Sequence, residues 1–98
     1  MYTIYQGYAF PISIESDVEL DISQCRLFNP LTKTMVVLES MFSFVEDGKY
    51  LYQVVLSAEQ TRQMKLGMYN LEIRTPDAYM AKHVHGFATV SESAVVYL

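Results

Sequence analysis

The sequence predicts an all-β sandwich of seven or eight antiparallel strands with one short helical crossover. Three observations carry this. Apolar residues alternate with polar ones at period two through most of the chain. Turn signals recur roughly every ten residues, the spacing of short sandwich or barrel strands. A single capping-box pattern, Ser57-Ala58-Glu59-Gln60, interrupts the alternation.

Tyr8, Phe10, Ile12 and Ile14 place one apolar row opposite Pro11, Ser13 and Glu15, which reads as an edge strand because Pro11 cannot donate to a ladder. Ser16-Asp17 breaks it. Leu20 to Ser23 is a short connection. Cys25 to Phe28 is a second strand, and Asn29-Pro30-Leu31-Thr32 turns the chain. Thr34 to Glu39 and Met41 to Val45 are the third and fourth strands. Asp47-Gly48 supplies the positive φ of a tight hairpin into a fifth strand, Tyr50 to Leu56, apolar on both faces and so expected to be covered on both sides. Ser57 and Gln60 then cap a helical segment from Ala58 to Lys65, ended by Gly67. Met68 to Arg74 is the sixth strand. Thr75-Pro76-Asp77 turns into the seventh, Met80 to Val90, with Gly86 marking a bulge. Ala94 to Leu98 is an eighth strand or a tail that pairs with a neighbour.

The 98 residues are enough for one domain, spanning 1–98, with one core. The hydrophobic fraction of 51% and charged fraction of 18% leave apolar surface for a partner. A net charge of −4 with unclustered Lys and Arg argues against nucleic-acid binding. Met1 to Tyr8 lacks the features of a signal peptide, and no apolar run is long enough to cross a membrane. A single cysteine, Cys25, forms no internal disulfide, which fits a reducing cytoplasm.

The chemistry-bearing residues are sparse. His83 and His85 sit two apart on a strand, on one face, and are the only candidates for a metal; a third ligand has to come from Cys25, Asp77 or Glu92. Two solvated polar residues is the better reading. Cys25 has no activating neighbour in sequence and reads as core. Glu15, Asp17, Glu19 and Asp21 lack the glycine and spacing of a calcium loop and read as a charged edge that discourages pairing. No catalytic motif occurs, so the expected protein is not an enzyme and needs no cofactor.

Gly67-Met68-Tyr69, following the crossover and leading to Leu71, has the arrangement of a tyrosine corner, whose hydroxyl bonds back to nearby backbone. With Gly7-Tyr8-Ala9-Phe10, with Leu56-Ser57-Ala58-Glu59-Gln60-Thr61, and with His85-Gly86-Phe87-Ala88-Thr89-Val90, it resembles the small immunoglobulin-like domains of tailed-phage structural proteins, such as the N-terminal domain of the baseplate upper protein and related tail or fibre components. Tyr8 departs from that pattern, which has an aspartate there. The resemblance implies an immunoglobulin-like sandwich and a virion or prophage component, made in the bacterial host cytoplasm, that docks onto other virion proteins or onto copies of itself. The residues read as structural, from the hairpin, the capping box and the corner, are Gly48, Ser57, Gln60, Gly67 and Tyr69. The alternative is a small ligand- or carbohydrate-binding β-sandwich module using exposed Tyr2, Tyr5 and Tyr79.

Overall fold

The computed structural model describes residues 1–92; the expected strand or tail at Ala94 to Leu98 lies outside them. Eight strands occur in the described residues: β1 (Tyr2–Tyr5), β2 (Phe10–Ser16), β3 (Arg26–Asn29), β4 (Thr34–Val37), β5 (Ser40–Glu46), β6 (Lys49–Leu56), β7 (Gly67–Arg74) and β8 (Met80–Ser91). One helix, α1 (Ala58–Gln63), and a 3₁₀ turn, Ile22–Gln24, complete the set. The fold is all-β, in two sheets ordered β1-β8-β7-β3-β4 and β2-β6-β5.

Period-two alternation explains how the sheets share a core. In β7, Tyr69, Leu71 and Ile73 point inward; in β6, Tyr52, Val54 and Leu56 do so. Ile4, Ile12, Leu27, Ala88 and Val90 join the same cluster. Asp47 and Gly48 both have positive φ, as a type I′ hairpin requires, and this turn fixes the register of β5 on β6.

Four expectations need correction. Tyr2–Tyr5 is a strand that the alternation does not reveal, and it pairs parallel to β8, from Tyr2 against Ala88 to Tyr5 against Ser91. The strands are therefore not all antiparallel. The strand expected from Tyr8 begins at Phe10, because Gly7 turns the chain with φ +85. The helix stops at Gln63, not Lys65: Met64 is already extended, its side chain is drawn into the core, and Gly67 starts β7 with φ +121. Leu51 and Val55 are only half-buried, because among the described residues no layer covers the outer face of the three-stranded sheet.

The capping box at α1 is complete. Ser57 Oγ accepts from the Gln60 N–H at 3.1 Å, and Gln60 Oε1 accepts from the Ser57 N–H at 2.8 Å. Thr61, fully buried on α1, ties the helix to the β1–β2 turn. Its hydroxyl accepts from the Gly7 N–H at 3.1 Å and donates to the carbonyl of Tyr8 at 2.9 Å or of Ala58 at 3.0 Å. Thr61→Val keeps the shape and orphans these backbone groups. The expected loss is about 1–2 kcal/mol, read from urea unfolding. An unchanged midpoint means that water replaces the hydroxyl.

Candidate functional site

Tyr69 stands at the start of β7 and is 1% exposed. Its hydroxyl donates to the Lys65 carbonyl at 2.9 Å, four residues upstream, which fixes the path between α1 and β7. Gly67 cannot easily be replaced: besides its positive φ, an added Cβ meets Asn29 Nδ2 at 3.3 Å. Gly48, Ser57, Gln60, Gly67 and Tyr69 thus sit at two turns and one cap; Gln60 and Tyr69 border one open hollow of about 360 Å³, and Gly48, Ser57 and Gly67 do not line it.

On the outer face of the five-stranded sheet, His83 and His85 lie side by side with ring centroids 4.2 Å apart. Both are exposed. Among the described residues no group of three His, Cys, Asp or Glu side chains converges to hold a metal ion. Cys25 is buried in the core, where its sulfur meets backbone groups of Asp21 and Arg74. Burial, opposed by the hydrogen bond from the Arg74 N–H, raises its pKa and keeps it a thiol.

Beside the histidines, Glu72 is buried although it points outward. Arg26 grips both its carboxylate oxygens, at 2.8 and 3.2 Å, and Arg74 adds a bond at 3.1 Å. The Arg26 hydrogen bond, helped by the charges of both arginines, outweighs burial and lowers the Glu72 pKa. This cluster joins β3 to β7 and presents no open site.

The tyrosines do not share a platform. Tyr79 lies at the β7–β8 turn, roughly 25–30 Å along β8 from the Ala88 that faces Tyr2. Tyr2 packs on Phe10 and Phe87 at the mouth of a cavity of about 410 Å³ lined otherwise by Pro11, Ile12, Ser13, Ile14 and Leu71. Neither Asp nor Asn borders it; Ser13 and Tyr2 supply its side-chain hydroxyls.

The most unusual surface is β5. It is the edge strand of the three-stranded sheet, and Ser40 and Phe42 to Glu46 are all exposed, on both faces. Phe42 and Phe44 project outward, opposite Gln53 and Leu51, with ring centroids 5.1 Å apart. Ser43 and Val45 project toward the core side, opposite Tyr52 and Tyr50, but nothing from the other sheet covers them. A groove of about 550 Å³ runs there, bordered by Glu19, Asp21, Leu38, Glu39, Ser43 and Tyr52. A second hollow of about 320 Å³ continues it toward Val45 and Tyr50.

Local bonds build this groove. The Tyr52 hydroxyl accepts from the Leu20 N–H at 2.8 Å and faces the Leu20 carbonyl at 3.3 Å, pinning the β2–β3 connection. Asp21 caps the 3₁₀ turn, accepting from the Ser23 hydroxyl at 2.5 Å, the Gln24 amide at 2.8 Å and the Ser23 N–H at 3.1 Å; the Ser23 hydroxyl bond, then the Gln24 bond, lowers its pKa. Glu15, Asp17, Glu46 and Asp47 gather at the same end, where the cation Lys49 pairs with Glu15 at 3.0 Å. Of the acids read in sequence as a guard against pairing, Glu19 and Asp21 border the groove beside β5, and Glu15 lies on the edge strand β2. The exposure of β5 had no sequence signal, because Phe42 and Phe44 alternate just as buried residues do.

No family model, no curated protein and no solved structure was found to match this chain.

Proposed function

We propose that the chain is a non-enzymatic structural module of a tailed phage or prophage, a tail, baseplate, fibre or other virion component, that assembles with copies of itself and with other virion proteins through free strand edges. The observation that carries this is β5, a seven-residue edge strand on which Phe42, Phe44 and Val45 are exposed, on both faces. A long apolar edge with unpaired backbone groups is a template for another strand. Main-chain hydrogen bonds then supply affinity, and the aromatic pair supplies anchors of the kind that dominate interfaces.

Support for an immunoglobulin-like sandwich comes from the strand order. Taking β2 to β8 as strands B, C, C′, D, E, F and G places B-E-D against G-F-C-C′, the arrangement of variable-type domains. The Tyr69 hydroxyl bond at the start of the sixth of these is the corner expected there. The phage assignment itself stands on the resemblance carried by Gly7 to Phe10, Leu56 to Thr61, Leu66 to Ile73 and His85 to Val90.

Sedimentation velocity over a wide concentration range tests the assembly. The expected result is a sedimentation coefficient that rises with concentration. Phe42→Ser combined with Phe44→Ser, two exposed positions, should reduce the association without unfolding the chain. A wild-type protein that stays monomeric at the highest concentration sinks the reading.

A further inference from the structure

The assembly reading leaves open which surface β5 takes, and the fold holds a matching edge. β1 begins opposite Ala88, so the first half of β8, Met80 to His85, has β7 on one side and, among the described residues, no strand on the other. This half carries Lys82, His83 and His85 and no acid. Its side chains are exposed except for half-buried Val84. The β5 edge is the opposite in charge: Ser40 to Glu46 has no cation, and Glu19 and Glu39 border the groove beneath it.

We infer that copies of this chain join head to tail, with the β5 edge of one taking the Met80–His85 edge of the next. The deduction rests on the assembly reading above. Like-with-like contacts are disfavoured, because β5 on β5 sets acid against acid, and β8 on β8 sets Lys82 and the histidines against their own kind. The other free edges are poorer. β1 and β4 are four residues long, and Pro11 removes a donor from β2.

The side-chain rows also match. Lys82 lies opposite Ile73, on the core-facing row of its sheet, yet is exposed. On β5 the core-facing row is Ser43 and Val45, over the groove. Joining the edges with these rows on one side brings Lys82 of the second copy to Glu19 and Glu39. The outer rows then set His83 and His85 against Phe42 and Phe44. Each copy uses two different surfaces, so the contact is heterologous and repeats into a ring or a filament.

Charge exchange tests this. Lys82→Glu and Glu39→Lys alter exposed side chains outside the core. Each variant, alone, is expected to associate at least about tenfold more weakly than wild type in sedimentation velocity. An equimolar mixture is expected to regain assembly, since it unites the wild-type edges of the two variants and pairs Glu at 82 with Lys at 39. Added salt should weaken the wild-type assembly. If wild type assembles while either variant does so equally well, or the mixture stays dissociated, the edge assignment is wrong and the assembly reading survives. If wild type never assembles, the assembly reading itself fails.

Discussion

Tyr69→Ala should lower the free energy of unfolding by about 3–5 kcal/mol, the range for deleting a buried aromatic ring. The ring is 1% exposed and lies in the cluster that both sheets share. Small domains have only about 5–15 kcal/mol in total, so this variant should sit close to its unfolding threshold. Tyr69→Phe separates the hydroxyl from the ring. It removes the 2.9 Å bond to the Lys65 carbonyl and should cost about 1 kcal/mol. Urea unfolding of the two variants reads both figures. An alanine variant as stable as wild type would mean that the ring holds nothing in place. A phenylalanine variant with no loss would move the work of the corner from its hydrogen bond to packing alone.

Glu72→Ala should cost about 2–4 kcal/mol at neutral pH, because it strands two arginines side by side where both are only partly exposed to water. The estimate is kept below that for a fully enclosed pair because about a third of the Arg26 side chain meets solvent. The sign of the pH effect follows from the lowered Glu72 pKa. The unfolded chain binds the proton near the ordinary value of 4.5, and the folded chain binds it only at lower pH. The stabilisation is therefore fully present above that value and is lost as pH falls through the folded value. Glu72→Gln mimics the protonated side chain. The stability gap between wild type and Glu72→Gln should be widest at neutral pH and should close in acid. A gap that is constant with pH would mean that the carboxylate charge contributes nothing.

The chain shows its strands in sequence where one face is buried and hides them where topology decides. Tyr50 to Leu56 and Met68 to Arg74 alternate against a core, and their ranges are legible to within a residue. β1 is not legible: of Tyr2-Thr3-Ile4-Tyr5 only Ile4 is buried, and its partner is a strand near the far end of the chain. Four residues give periodicity too little to act on. Glu72 reads as solvent-facing beside Asn70 and Arg74. It is buried because register places Arg26 opposite it, and cross-strand register is not written in either strand alone. The same limit applies to β5. Its aromatic alternation is visible, but whether another layer covers it depends on where the two sheets end.

The parallel seam between β1 and β8 has a consequence for synthesis. Residues 2–5 leave the ribosome well before their partners, 88–91. At about 5–20 residues per second the wait is on the order of 5–15 s, longer than most small β domains need to fold once complete. Until then Ile4 has no socket, because Ala88 and Val90 of the shared cluster do not yet exist. Closure of the core thus waits until residues 88–91 have been made, and a nascent chain stalled before Ala88 carries Ile4 unpacked.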